Sequence, residues 1–76
     1  MKKRSSTAQM FRYVRLQQRA SYRAFAKRFG LHHSTLHRIE RDERKPPPGA
    51  LRMLVYLSEC QSLEELMKCV NNKLNL

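Results

Sequence analysis

His33 and His37 stand four residues apart, the spacing that puts two imidazoles on one side of a helix. Two helical metal ligands use the same spacing. A metal site needs more, and no third ligand follows nearby. Cys60 and Cys69 lie on later segments, and the zinc-finger order of a Cys pair before a His pair is reversed. Neither metal nor cofactor is therefore expected. Ser34 and Arg38 share the stretch with the two histidines. These are hydrogen-bonding side chains of the kind that address base edges, and an arginine can give two parallel donors to O6 and N7 of guanine. Catalysis finds no comparable grouping. The chain has no nucleophile elbow, no glycine-rich phosphate loop and no paired carboxylates in an apolar setting, so it is expected not to be an enzyme.

Charge points the same way as Arg38. Sixteen Lys and Arg against six Asp and Glu give a net charge of +10 on 76 residues. Its distribution is uneven. Residues 1–45 hold thirteen Lys/Arg against Glu40, Asp42 and Glu43, and thus the whole net charge, while residues 46–76 balance three against three. A basic half joined to a neutral half suggests a polyanion-binding face backed by a packing or partner surface. No apolar run approaches the roughly 18–20 residues of a membrane span. The basic start leads into Ser, Thr and Gln rather than the apolar core of an export signal. A cytoplasmic protein that makes no membrane contact, bacterial, phage or plasmid encoded and nucleoid-associated, is expected. Two cysteines are too few for a disulfide scaffold and read as small buried hydrophobes.

Five short helices and no strands would position these residues. Residues 1–5 read as a flexible basic arm and 6–76 as one domain. Ser6-Thr7-Ala8-Gln9 has capping-box spacing and opens a first helix to about residue 18, with Met10, Phe11 and Val14 inward. Ser21 caps a second helix whose inward residues are Ala24 and Phe25, with Ala26 small enough for close approach. Gly30 ends it, and Leu31 drops into the core. A third helix runs from about 33 to 41, with Leu36 and Ile39 at helical spacing. Pro48 suits the first turn of a fourth helix, and Ser62-Leu63-Glu64-Glu65 is a capping box opening a fifth that runs to about residue 70. On the fourth helix Ala50, Met53, Leu54 and Leu57 form one buried stripe. Leu51, Val55 and Tyr56 then lie on other faces and suit a homodimer contact, with a core-only role as the alternative.

The segment from Ser21 to Glu40 has helix-turn-helix spacing: a small residue at the helix crossing (Ala26), a turn glycine (Gly30) and apolar anchors at Phe25, Leu31, Leu36 and Ile39. Over residues 8–67 the chain resembles the XRE family of phage-repressor and Cro-like DNA-binding domains. Val14-Arg15, Ile39-Glu40-Arg41, Lys45-Pro46 and Leu63-Glu64-Glu65-Leu66 match further family positions. Departures include Tyr22 in place of the usual Gln, Asp42 in place of Gly, and His32 at a capping position usually held by Ser or Thr, which suggests a weaker helix start.

The resemblance implies an all-α, compact five-helix lambda-repressor-like bundle, with the helix-turn-helix at about 21–41. The third helix would enter the major groove of double-stranded DNA and turn His33, Ser34, His37 and Arg38 toward base edges. Ser21, Tyr22, Arg23, Thr35, Arg41, Arg44 and Lys45 would meet phosphates. Tyr22 could instead pack against Phe29 or cover the helix start. Arg15 and Glu40 could be ordinary solvated charges, yet both fall beside core positions, and the resemblance implies a mutual ion pair. The expected function is transcriptional regulation, by a repressor acting as a homodimer on two half-sites. The alternative is an antitoxin or other interaction module whose fourth and fifth helices hold a partner protein.

Overall fold

The computed structural model describes residues 5–74, so Lys2, Lys3 and Arg4 of the basic arm lie outside the described residues. Within that span the chain forms α1 (Ser6–Gln17), α2 (Tyr22–Arg28), α3 (His33–Glu40), α4 (Ala50–Ser58) and α5 (Leu63–Leu74), with no strand among the described residues. α1 is the central strut. It packs against α3, α4 and α5, while α2 packs on α3 and α4 on α5. Phe11 and Val14 of α1, Phe25 of α2, Leu36 and Ile39 of α3, Leu54 of α4, and Leu66 and Val70 of α5 meet in one fully buried cluster.

Local chemistry sets where each helix begins. Ser5, placed at the end of the arm by sequence, is the N-cap of α1 in place of Ser6: its Oγ accepts from the Ala8 amide at 3.2 Å. The reason is a clasp from elsewhere in the fold. The Asp42 carboxylate accepts from the Ser5 backbone N–H at 2.8 Å and from its hydroxyl at 2.9 Å, which fixes Ser5 in the capping geometry. Ser21 caps α2 through the Ala24 amide, and Ser62 caps α5 through the Glu65 amide. Glu65 returns a bond to the Gln61 N–H, one residue before the position a capping box usually serves. α4 starts at Gly49, whose φ of +83° turns the chain out of the Pro46-Pro47-Pro48 run. Pro48 therefore lies before α4, not in its first turn.

Helix ends follow one pattern. α1, α2 and α3 each close with paired backbone bonds of the Schellman type around a left-handed residue. Ala20 and Arg19 donate to Arg15 and Leu16, Leu31 and Gly30 to Ala26 and Lys27, and Glu43 and Asp42 to Arg38 and Ile39. The left-handed residues are Arg19 (φ +54°), Gly30 (+68°) and Asp42 (+65°). Only Gly30 announces itself by residue type.

Two inward assignments change. Ala24 is exposed, because α2 buries Phe25 and Ala26 and half-buries Tyr22 and Phe29, the i, i+3, i+4, i+7 face. Met53 is also exposed, because α4 centres its buried face on Ala50, Leu54 and Ser58. Leu57 and Leu31 are half-buried. Both cysteines are half-buried, and Cys60 packs on the edge of the core. α5 continues to Leu74, past the expected end near residue 70.

Candidate nucleic-acid interface

α3 is short and one-sided. Leu36, Ile39 and Glu40 are buried, which leaves Ser34, His37, Arg38 and Arg41 exposed and His33 and Thr35 half-buried. The N-terminus of α2 adjoins this surface with Ser21 and Arg23 exposed and Tyr22 half-buried. Beyond the C-terminus of α3, Arg44 and Lys45 are exposed on a cleft that also takes in Ser5, Thr7 and Pro46. Hydrogen-bonding side chains thus occupy the outer face of α3, with cations at both flanks. Arg41 is partly committed, since its Nε lies 3.2 Å from the Glu43 carboxylate in an exposed ion pair.

His32 does the work of the serine or threonine usual at its position. Its Nδ1 accepts from the Ser34 backbone N–H at 3.2 Å and lies 2.8 Å from Ser34 Oγ. The start of α3 is therefore capped by a side chain, where sequence suggested a weaker start. The His32 ring also lies against His33, with centroids 4.3 Å apart. Partial desolvation, then the charges of His32 and Arg23, hold the His33 imidazole below its ordinary pKa.

Behind the face, Arg15 and Glu40 meet in a two-pronged ion pair. Nε donates to Oε2 at 2.8 Å and Nη2 to Oε1 at 3.2 Å, with the side chains 11% and 3% exposed. Burial opposes the Arg15 charge, but the hydrogen bond and Coulombic attraction of Glu40, with a smaller contribution from Tyr22, outweigh it and raise the guanidinium pKa. Nη1 also reaches the Ala20 carbonyl at 3.3 Å, so one side chain ties α1 to α3 and to the turn before α2. The same guanidinium lies over the Tyr22 ring, 4.1 Å from its centroid. Tyr22 in turn meets His37 edge to face, with centroids 5.1 Å apart and planes at 88°. Phe29 packs instead against Phe11 in a tilted contact and against Phe25 edge to face.

Sequence reasoning missed the Tyr22–His37 contact, the cap made by His32 and the Asp42 clasp. The unusual residue types at positions 22, 32 and 42 were the available signals; their partners were not, because two of the three contacts cross from one element to another. On α4 and the start of α5, Leu51 and Val55 line a shallow apolar groove with Arg52 and Leu63. Tyr56 is not part of that lining and stands 78% exposed. No group of three or more His, Cys, Asp or Glu side chains among the described residues could hold a metal ion. No helix among them is long and apolar enough to cross a membrane.

Neither a curated protein nor a solved structure matches the chain. A family model described as a helix-turn-helix domain does, over residues 8–66, which take in all of α2, α3 and α4. That match agrees with the XRE resemblance and with the two-helix unit whose outer face is built above. The chain belongs to the helix-turn-helix domain family, whose members bind DNA.

Proposed function

We propose that this protein is a sequence-specific transcriptional regulator, a Cro-type repressor that binds double-stranded DNA as a homodimer and has no catalytic activity. α3 lies in the major groove, with His33, Ser34, His37 and Arg38 toward base edges. Ser21, Tyr22, Arg23, Thr35, Arg41, Arg44 and Lys45 meet phosphates on either side. Two copies address half-sites one helical turn, about 34 Å, apart. Leu51 and Val55, which share a groove with Leu63, and the exposed Tyr56 supply apolar surface for the contact between them. Repression follows from occupying DNA that polymerase needs, and such a protein works in the cytoplasm on the nucleoid.

One observation carries the reading. The outer face of α3 exposes the hydrogen-bonding side chains of Ser34, His37 and Arg38 between flanking cations. Footprinting on the DNA upstream of its own gene is the test. A protected stretch with two related halves, bound at least about 10³-fold more tightly than unrelated duplex, supports it. Equal binding to any duplex of the same length overturns it in favour of a sequence-blind basic protein.

A further inference from the structure

An exposed histidine on a short helix ordinarily samples several rotamers and must give them up when it meets a base. His37 is exposed, yet its ring is already seated edge to face against Tyr22, 5.1 Å away. Tyr22 is itself held. It is the first residue of α2, directly after the Ser21 cap, and the Arg15 guanidinium lies 4.1 Å from its ring centroid. Arg15 has no freedom either, because two bonds to the buried Glu40 and one to the Ala20 carbonyl lock it. A chain of contacts thus runs from the core through Glu40, Arg15 and Tyr22 to a side chain on the outer face of α3. A tyrosine that served only as a phosphate ligand would need its hydroxyl, and would have no use for a cation beneath its ring.

We infer that Tyr22, held by Arg15, is a positioning residue for His37, so that sequence choice at the base pair His37 meets is set by residues behind the contacting face. The inference rests on the reading that α3 addresses base edges. Tyr22 fixes the imidazole in one orientation before DNA arrives, and the free protein already presents the edge that the base must match. Discrimination falls when the seat is lost, even though every group that touches the base is still present.

Selection from a random-sequence duplex library tests this with the wild type, Tyr22→Phe, Tyr22→Leu and His37→Ala, each checked by thermal melting. The wild type enriches a motif, and Tyr22→Phe, which keeps the ring, enriches the same one. Tyr22→Leu and His37→Ala each lose about two- to tenfold of the preference at the same base pair, the range expected for an aromatic edge contact, and keep it at the others. If Tyr22→Leu retains that preference and loses affinity evenly for all sequences, Tyr22 is a phosphate ligand alone and the inference is overturned. A wild type that enriches no motif overturns the base-reading proposal itself, and this inference with it. Should Tyr22→Leu not fold, nuclear Overhauser contacts between the Tyr22 and His37 rings of the wild type decide the matter: their presence supports the seat, and their absence removes it.

Discussion

Glu40 shows how much rests on single side chains in a domain this small. It is 2% exposed and carries a charge, which a core tolerates only when the charge is matched and hydrogen-bonded, as Arg15 does here. Removing either partner leaves the other stranded. Glu40→Ala is expected to cost about 3–5 kcal/mol, a large share of a total stability on the order of 5–10 kcal/mol. Melting of both single variants and the double variant closes a cycle whose interaction energy should be ~1–3 kcal/mol; a value near zero would mean that the pair does not form in solution. His33 brings a pH dependence. Its pKa is lowered in the free protein by desolvation, His32 and Arg23, so the folded chain holds that proton less tightly than the unfolded one. The sign is then fixed: His33's contribution to stability is fully present above the ordinary histidine value and is lost as pH falls through the lowered one. With α3 in the major groove as proposed, neighbouring phosphates would act in the opposite direction and raise the pKa on binding. Affinity should therefore increase as pH falls through the bound-state value. Binding titrations of wild type and His33→Asn between pH 5 and 8, a range spanning about the ordinary histidine pKa, would show the wild type gaining more than the variant. Parallel curves would remove His33 from the interface.

The helices were legible from periodicity and caps because those signals are local. Met10, Phe11 and Val14, then Leu36 and Ile39, fall inward as their spacing requires, and Ser21 and Ser62 cap as their positions require. Errors arose where another element decides. Ser5 rather than Ser6 starts α1 because Asp42, thirty-seven residues away, takes hold of it. Met53 is exposed because the roll of α4 about its axis is set by its neighbours, which no stripe within the helix reveals. The outer face of α3 is legible from its own spacing, whereas the contact of His37 with Tyr22 depends on how α2 packs on α3. The helix ends carry a prediction of their own. Arg19 adopts a left-handed conformation that glycine enters at no steric cost. Arg19→Gly should therefore raise stability by about 0.5–1 kcal/mol, a rise of a few degrees in a thermal melt. Asp42→Gly relieves the same backbone strain but loses two hydrogen bonds to Ser5, and should melt at or below the wild type. An equal gain for both variants would show that the clasp adds nothing.

At the scale of the molecule, charge and apolar surface are segregated. The first 45 residues carry the net charge and the helix-turn-helix, and the neutral remainder carries the Leu51–Val55–Leu63 groove. The principal extents of 31 × 30 × 23 Å let two copies sit side by side on one face of a duplex, one turn apart. Leu51 and Val55 are only half-buried in the single chain, so they have apolar area left to cover. Val55→Glu should leave a folded monomer that binds a half-site weakly and loses cooperative binding to the full site, as sedimentation and gel-shift titration would show. A variant that unfolds, beside a wild type that is monomeric at high concentration, would assign Val55 to the chain's own core. The central claim is that α3 reads base sequence, and competition binding to the upstream site and its single-base variants, at two salt concentrations, tests it most directly. Arg38→Ala should lose about 1–3 kcal/mol of discrimination at one base pair and leave the others unchanged, whereas Arg44→Ala or Lys45→Ala should weaken all sequences alike and reduce the salt slope by about one. A uniform loss for Arg38→Ala, with no base pair singled out, would contradict the claim.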